Sequence, residues 1–239
     1  MQALILAGGQ GTRLRPYTTV LPKPLMPVGD YPILEIILKQ LKQAGFDDVI
    51  LAVGYMSQLF QAFFQDGSRH GLKITYSFED HPLGTAGPIA PMIDRLDEDF
   101  LIMNGDLLTT LNFRNLFAFH RERKAAATIG LFKREVKIDF GVIESDAEQR
   151  LIRYIEKPTY SFAVSMGVTA INREAVRPHL PAGINLDLPD LMGRLVGLGR
   201  PVLCYEEPCR WLDIGRVDDY QMATEIFASR QSEFLPPVA

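Results

Sequence analysis

Alternation of short apolar segments with amphipathic segments is the feature that most constrains the fold of this chain. In the first half, the apolar segments of strand length are "QALILA", "DVILAVG", "KITYSFED" and "DFLIMNGD". Segments with helical periodicity follow them at residues 31–45, 57–67, 84–96 and 112–124, and Pro88 and Pro91 lie in the third, in early turns or at a break. Buried strands that alternate with helices predict parallel strands joined by right-handed crossovers.

The second half predicts a sheet of a different character. Its strand-like segments lie at residues 125–133, 140–145, 150–158, 161–171 and 201–207, and its helical segments at 185–199 and 217–230. Residues 140–158 are typical of a hairpin with "DAEQ" as the turn, and "FLPPVA" reads as a loose tail. We therefore predict one α/β domain over residues 1–239, with a mixed, mainly parallel sheet whose second half holds a second substrate.

The composition excludes several classes of function. The formal net charge of −4 argues against bulk binding of nucleic acid or of anionic membranes. Cys204 and Cys209 form neither a metal-ligand pattern nor a disulfide framework, which favours a reduced compartment. The sequence shows no signal peptide and no apolar segment of the roughly 20 residues that a membrane span needs. We expect a cytoplasmic protein without a nucleic-acid or membrane partner.

Three polar segments follow predicted strands directly. They are "AGGQGTR", "FEDHPLGTAG" and "NGD". In an open parallel sheet, ligands bind beyond the carboxyl ends of the strands, so these segments should converge on one crevice although they lie far apart in the sequence.

The first of these segments is rich in glycine, but it matches neither common phosphate loop. The P-loop pattern is absent, and the dinucleotide fingerprint fails because Leu14 occupies the third glycine position. The glycines still allow backbone N–H groups to approach an anion, and Arg13 adds a planar charged group suited to phosphate oxygens.

Candidate charged residues are spread along the chain. Pro22 and Pro24 stiffen the backbone around Lys23 and should hold it extended, although on its own it is best interpreted as a solvated lysine. Asp106 and Asp213 are carboxylates of the kind that Mg²⁺ prefers, with capping or ion pairing as the alternative role. "EKP" at 156–158 offers a carboxylate for sugar hydroxyls and a lysine for phosphate, or else a surface charge pair.

Other catalytic patterns are weak. The histidines have no metal-ligand spacing and are predicted to be surface or capping residues, and "HRERK" at 120–124 is predicted to be a solvated helix end. The sequence has no nucleophile elbow, and neither cysteine has an obvious histidine partner.

Taken together, the motifs resemble those of one family. "LAGGQGTRLRPYTTVLPKPLMPV" looks like the signature of the sugar-1-phosphate nucleotidylyltransferases, also called NDP-sugar pyrophosphorylases. "EDHPLGTAG", "NGD", "FGV", "EKP" and "WLDIG" resemble the family's further motifs, in the family's order. The resemblance spans residues 2 to about 225. It implies a Rossmann-like three-layer α/β/α sandwich and the conversion of an NTP and a sugar 1-phosphate into an NDP-sugar and pyrophosphate.

The resemblance also implies roles for individual residues. It implies an NTP-binding half at residues 1–110 and a sugar-phosphate-binding half at 111–239. Arg13 and Lys23 would be catalytic, and Asp106 and Asp213 would hold Mg²⁺. The nucleotide would contact Leu6, Ala7, Gly8, Gly9, Gly11, Thr12, Glu79, Gly84 and Thr85. The sugar phosphate would contact Gly141, Glu156, Lys157 and Gly167.

The nucleotide base and the sugar are the least determined part of the prediction. "EDHPLGTAG" and "NGDLLTT" look most like the mannose-1-phosphate guanylyltransferase-like members, so GTP and a manno-configured sugar 1-phosphate are the first choice. Uridylyl or thymidylyl transfer to another hexose or amino-sugar 1-phosphate is the alternative. Ser165 replaces a common Asn, and Arg216-Val217 replaces a common Thr-Pro, which leaves the sugar open.

Rival classes also remain at this point. A non-catalytic, nucleotide-sugar-sensing regulatory subunit is one, but the predicted catalytic positions are all present. A nicotinamide-dependent oxidoreductase is another, against which the failed dinucleotide fingerprint counts. Relatives in the family are often dimers or tetramers, but no segment of this chain identifies a homo-oligomeric interface.

Overall fold

A computed structural model describes residues 1–235, so the end of the predicted tail, residues 236–239, lies outside the described residues. The strands are β1 (Gln2–Leu6), β2 (Pro27–Val28), β3 (Tyr31–Pro32), β4 (Asp48–Val53), β5 (Lys73–Phe78), β6 (Asp99–Asn104), β7 (Leu107–Thr109), β8 (Ala127–Lys137), β9 (Val142–Ser145), β10 (Leu151–Ile155), β11 (Thr159–Asn172), β12 (Val202–Glu206) and β13 (Trp211–Asp213). The α-helices are α1 (Ile33–Ala44), α2 (Ser57–Phe64), α3 (Phe113–Glu122), α4 (Arg173–Val176), α5 (Leu188–Gly197) and α6 (Val217–Phe234).

A seven-stranded sheet in the order β12-β8-β11-β6-β1-β4-β5 forms the centre of the molecule. The β1, β4, β5 and β6 strands are parallel, as the alternation predicts. Strand β11 is antiparallel to both β6 and β8, and β12 is parallel to β8. The mixed, mainly parallel sheet is therefore confirmed, and it runs without interruption from the first half of the chain into the second.

Helices cover both faces of this sheet. Alternate side chains of β1 point to opposite faces, with Ala3 and Ile5 in one apolar cluster and Leu4 in the other. The first cluster includes buried residues of α1, α2, α3 and α6, and the second includes those of α4, α5 and the short helix at 87–92. These three layers agree with the predicted α/β/α sandwich. Within residues 1–235, no helix is both long enough and apolar enough to traverse a bilayer.

One predicted element differs in detail from the sequence expectation, and the predicted hairpin is confirmed. The segment with Pro88 and Pro91 forms a 3₁₀-helix at Gly87–Met92 and does not continue as an α-helix, because proline lacks the N–H that an α-helix interior requires. The predicted hairpin is present as β9 and β10, with residues 146–150 between them.

The segment around Lys23 corrects the expectation of an extended, solvated lysine. Lys23 begins a single 3₁₀ turn, in which Leu25 N donates to Pro22 O at 2.8 Å and Met26 N donates to Lys23 O at 3.0 Å. The bias against helical geometry before proline is outweighed here by these hydrogen bonds and by burial. Only 7% of the Lys23 surface is exposed.

A short pair of strands, which the sequence pattern does not predict, joins the first and second halves of the chain. Strand β13 pairs antiparallel with β7, and Asp213 lies opposite Leu107. The buried Thr109 hydroxyl donates to Arg210 O at 2.8 Å and accepts from Leu111 N at 3.1 Å. This junction carries Asp213 to the end of β6.

His120 is not a surface or capping residue, contrary to the prediction. It lies in α3 with 1% of its surface exposed, and its Nδ1 pairs with Thr128 Oγ1 at 2.9 Å. Burial lowers the pKa of the imidazole, and the neighbouring Asp99 carboxylate offsets part of that effect. The burial of His120 is not evident from the charged segment "HRERK", because the histidine lies on the inward face of the helix while its neighbours are charged.

Replacement of Thr109 by Val should weaken the β7–β13 junction. The variant leaves the buried Leu111 N–H without its acceptor, which costs about 1–3 kcal/mol in the free energy of unfolding. Urea denaturation measures the loss, and Thr75→Val in the edge strand β5 is the matched control, since its hydroxyl makes no hydrogen bond among residues 1–235. Equal stability of the two variants would contradict the proposed role of the Thr109 hydroxyl.

Acid should destabilise the protein in part through His120. Its pKa is lowered in the folded state relative to the ordinary value of about 6.5, so the unfolded chain takes up the proton more readily. The associated stability is complete above about pH 6.5 and is lost as the pH falls through the folded-state pKa. Urea titrations between about pH 5 and 8 should show a shallower pH dependence for His120→Gln than for the parent protein. Parallel curves would refute this assignment.

Candidate active site

The carboxyl ends of β1, β4, β5 and β6 open into a cleft of about 630 Å³. The three polar segments of the sequence analysis meet there, as expected for the edge of a parallel sheet. The lining residues are Leu6, Gly8, Gly9, Gln10, Gly54, Tyr55, Glu79, Asp80, His81, Pro82, Leu83, Gly84, Thr85, Asn104 and Asp106.

Most of the predicted nucleotide-binding residues line this cleft. They are Leu6, Gly8, Gly9, Glu79, Gly84 and Thr85. Ala7, Gly11 and Thr12 do not line it. Ala7 is buried and its N–H donates to Ala52 O at 2.8 Å, and Thr12 is exposed at the start of a 3₁₀ turn.

Glu79 places a carboxylate beside the glycine backbone. A Cβ atom added to Gly8 would lie 3.0 Å from Glu79 Oε1, so the Glu79 carboxylate approaches the Gly8 backbone closely. Burial raises the pKa of Glu79, and a hydrogen bond from Leu83 N to Glu79 Oε2 at 3.4 Å opposes the shift. The carboxylate is thus held as an acceptor on the wall of the cleft.

Lys23 joins the two predicted metal ligands at the end of the cleft. Its Nζ lies 2.5 Å from Asp106 Oδ2 and 3.7 Å from Asp213 Oδ1. Asp106 follows β6 in the first half of the chain, and Asp213 ends β13 in the second half. An ammonium between two carboxylates offsets part of the repulsion that would otherwise oppose their approach.

Asp106 retains an unused oxygen. Its side chain keeps 23% of its surface open, but Oδ1 is buried and has no hydrogen-bond partner among residues 1–235. Burial raises the pKa of Asp106, against the lowering effect of Lys23. An acceptor in this state suits a hard cation such as Mg²⁺, which takes one or two carboxylates together with phosphate and water oxygens. Within residues 1–235, no three His, Cys, Asp or Glu side chains are grouped so that they could hold a metal ion by themselves. A cation held by two carboxylates would take its other ligands from phosphate and water oxygens.

Arg13 lies near two carboxylates beside Gly215. A Cβ atom on Gly215 would be 3.5 Å from Asp219 Oδ2 and 3.6 Å from both Arg13 Nη1 and Asp213 Oδ2, so the guanidinium and these carboxylates border the same space. The Arg13 side chain is exposed and forms no ion pair within residues 1–235. It is therefore free to receive an anionic ligand.

Gly11 fixes the backbone between the cleft and Lys23. Its φ of +60° is in the left-handed region, and its carbonyl accepts from Thr18 Oγ1 at 2.8 Å. An added Cβ atom would lie 2.9 Å from Thr18 Cγ2 and 3.3 Å from Lys23 Cβ. The position therefore acts through the conformation of the loop, although it does not line the cleft itself.

The predicted sugar-phosphate residues are more scattered. Gly167 is close to the cleft, since a Cβ atom on it would be 2.7 Å from Asn104 Nδ2. Gly141, Glu156 and Lys157 lie beside the exposed β9–β10 hairpin, and none of them lines the 630 Å³ cleft. Lys157 has a φ of +45°, and its ammonium makes no ion pair among residues 1–235.

The two residues that depart from the family pattern make local contacts. Ser165 Oγ accepts from Gly167 N at 3.3 Å. The Arg216 N–H donates to Asp219 Oδ2 at 2.8 Å and so begins α6, while the Arg216 side chain is exposed. These contacts do not define a ligand.

Sequence reasoning missed several lining residues, notably Gly54, Tyr55 and Asn104. Gly54 and Tyr55 follow β4, and Asn104 ends β6. Their position at the carboxyl ends of predicted parallel strands is a signal that could have identified them.

The chain belongs to the nucleotidyl transferase family, whose model, described as "Nucleotidyl transferase", matches residues 2–230. It is 33% identical over 249 residues to UTP--glucose-1-phosphate uridylyltransferase from Synechocystis, covering 97% of this chain and 64% of that relative. It is 34% identical over 227 residues to mannose-1-phosphate guanylyltransferase from Mycobacterium tuberculosis, covering 92% and 62%. The chain thus spans a little under two thirds of the length of these curated relatives.

Solved structures agree with the fold. A Bacillus anthracis protein described as a glucose-1-phosphate thymidylyltransferase superposes with a TM-score of 0.76 at 25% identity, over 95% of this chain and 94% of that one. HddC from Yersinia pseudotuberculosis superposes with a TM-score of 0.71 at 21% identity, over 95% and 99%.

Replacement of Gly11 by Ala should weaken nucleotide binding. The left-handed backbone costs an alanine about 1–2 kcal/mol, and the added methyl group also displaces Thr18 and the Lys23 segment. We expect roughly tenfold weaker affinity for NTPs in titration calorimetry, because small misplacements of charged groups are costly.

Gly199→Ala is the matched control for Gly11→Ala. Gly199 has a φ of +68°, but an added Cβ atom there would have nothing within 4 Å. It should lose stability and retain nucleotide affinity. If Gly11→Ala also retained its affinity, the link between this turn and the site would be disproved.

Proposed function

We propose that this chain transfers a nucleoside monophosphate from an NTP to a sugar 1-phosphate and releases pyrophosphate. The observation that carries the proposal is Lys23, nearly buried between Asp106 and Asp213 at the end of a cleft walled by glycine backbone. Membership of the nucleotidyl transferase family supports it independently.

The charges at the site match what this reaction requires. An oxygen of the sugar phosphate attacks the α-phosphorus of the NTP, a new P–O bond forms, and the bond to the bridging oxygen of pyrophosphate breaks. The nucleophile is already an anion at neutral pH, so no general base is needed. The remaining difficulty is the approach of two anions, which positive charge and positioning reduce.

Lys23 and Arg13 are suited to two parts of this task. Lys23 is held by its carboxylate partners and would contact phosphate oxygens during transfer. Arg13 is exposed and would bind the β- and γ-phosphates and then the departing pyrophosphate. The glycine backbone at Gly8 and Gly9 would let the nucleotide approach the ends of the strands.

Asp106 and Asp213 would hold Mg²⁺, with the unpartnered Asp106 Oδ1 as a ligand atom. When bound, the ion would neutralise phosphate charge and orient the phosphate oxygens. In the structure, the Lys23 ammonium faces both carboxylates and offsets part of their own negative charge.

GTP and mannose 1-phosphate, or a related manno-configured sugar 1-phosphate, are the proposed substrates. Several of the curated relatives are named as mannose-1-phosphate guanylyltransferases, with identities between 30% and 35%. The uridylyltransferase from Synechocystis supports the alternative, transfer of UMP to a different sugar phosphate. Gly141, Glu156, Lys157 and Gly167 would bind the sugar phosphate.

A pyrophosphate-release assay across GTP, UTP, dTTP and ATP, with a panel of sugar 1-phosphates and with or without Mg²⁺, tests the proposal. Mg²⁺-dependent pyrophosphate release with one preferred pair is the expected result. Nucleotide-sugar binding without any turnover would instead favour the regulatory class and overturn the enzymatic proposal.

Substitution of Arg13 by Ala should reduce turnover by about 10²–10³, the usual cost of one lost charge-stabilising contact. The side chain is exposed, so its removal leaves no buried charge and the circular dichroism spectrum should not change. Arg15→Ala is the matched control, as Arg15 is exposed in the same segment and outside the proposed machinery. Near-normal turnover of Arg13→Ala would remove Arg13 from the mechanism.

A further inference from the structure

One wall of the cleft is hydrogen-bonded to a segment near residue 186, in the second half of the chain. Leu83, Gly84 and Thr85 line the cleft. Behind them, the N–H groups of Ala86 and Gly87 both donate to Leu186 O, at 2.8 and 3.0 Å, and Leu186 N donates to Leu83 O at 2.9 Å. Residues 83–87, which we call the wall loop, are thus hydrogen-bonded along their backbone to residues far along the chain.

Asp187 adds side-chain contacts to this backbone pairing. Its Oδ1 accepts from Thr85 N at 2.9 Å and from Thr85 Oγ1 at 3.1 Å. The Thr85 hydroxyl in turn accepts from Leu188 N at 2.8 Å. Thr85 is therefore fixed at both its backbone and its side chain by the start of α5.

The carboxylate of Asp187 does not cap α5, although Asp187 occupies the N-cap position of that helix. Asp187 precedes the first residue of α5, where an aspartate normally caps the helix by accepting from its first N–H groups. Among residues 1–235, the Asp187 side chain makes no such capping bond, and its carboxylate accepts from Thr85 in the wall loop instead. The sequence pattern "NLDLPDL" indicates a helix start, but it does not reveal this contact.

The packing at Gly84 leaves no freedom between the two segments. Gly84 has a φ of +76°, and an added Cβ atom would lie 2.5 Å from Leu186 O and 2.9 Å from Asp187 Oδ1. The wall loop therefore packs closely against Leu186 and Asp187 at this point. Asp187 itself does not line the cleft among residues 1–235, so it acts through the loop.

We propose that Asp187 is a positioning residue that sets the nucleobase-facing wall of the cleft and thereby determines discrimination among NTPs. This inference rests on the proposed function, and it takes Gly84 and Thr85, which line the cleft, as contacts of the nucleobase. Specificity for a base depends on polar groups held in one geometry, and a loop that must be ordered upon binding loses that advantage. The contact also links the nucleotide wall to the half of the chain that is proposed to bind the sugar phosphate.

Steady-state kinetics on the full chain test the role of Asp187. For Asp187→Ala, we expect the KM for the preferred NTP to rise about tenfold, because a displaced wall weakens its contacts with the base. The preference in kcat/KM over the other NTPs should shrink by a similar factor, and the KM for the sugar 1-phosphate should stay within about twofold. Asp187→Asn, which keeps an acceptor oxygen for Thr85, should recover most of the preference.

Two further variants separate positioning from a general loss of structure. Asp190→Ala is the matched control, since Asp190 is exposed in the first turn of the same helix and makes no hydrogen bond or ion pair within residues 1–235. Thr85→Val combined with Asp187→Ala should change the NTP preference by less than the sum of the two single variants, because both remove the hydrogen bond from Thr85 Oγ1 to Asp187 Oδ1. A uniform decrease for all substrates, or an unchanged NTP preference in Asp187→Ala, would overturn the inference.

Equilibrium binding keeps this test distinct from that of the proposed function. If the parent protein releases no pyrophosphate, the enzymatic proposal fails, and calorimetry with GTP, UTP, dTTP and ATP then measures base preference directly. A preference that Asp187→Ala reduces would support the positioning role even without turnover. A parent protein that binds all four nucleotides equally, or none of them, would refute it.

Discussion

The ammonium of Lys23 between two carboxylates is the interaction on which the rest of the site depends. Asp106 and Asp213 come from opposite halves of the chain, and like charges in a partly buried setting repel strongly unless a cation lies between them. The local structure is organised around this requirement. A 3₁₀ turn sets the position of Lys23, the end of β6 sets that of Asp106, and the β7–β13 pair delivers Asp213. With both carboxylates ionised, one ammonium and two carboxylates leave this cluster with a net negative charge, so the arrangement favours an added cation, at the cost of holding three ionisable groups in close contact.

Much of the fold follows from local sequence patterns. The strands β1, β4, β5 and β6 are short and apolar and are separated by amphipathic helices, so their parallel arrangement and the cleft at their carboxyl ends could be predicted. Gly8, Gly9, Glu79 and Asp106 were identifiable for the same reason, since each follows a strand that periodicity alone reveals.

The remaining features depend on contacts between distant segments, which periodicity does not encode. Lys23 is interpreted as a solvated residue from its proline-rich surroundings, and His120 as part of a charged helix end, yet packing buries both. The β7–β13 pair is only three residues long on each side, and no hydrophobic alternation of that length can be recognised. Asp187 has the local signature of a helix cap, and only the neighbouring wall loop gives its carboxylate a different partner.

The antiparallel strand β11 in the centre of the sheet has a consequence for biosynthesis. It completes the pairing of β6 and β8, so an emerging chain that ends before it must leave an edge of β6 unpaired. The Thr109–Arg210 contact joins residues that are 101 positions apart. Asp213, which follows Arg210, therefore reaches its place after β11 has been synthesised. An emerging chain therefore acquires Leu186 and Asp187, which hold the wall loop of the cleft, before it acquires Asp213. The cleft and the pair of carboxylates are thus complete only when synthesis is nearly finished.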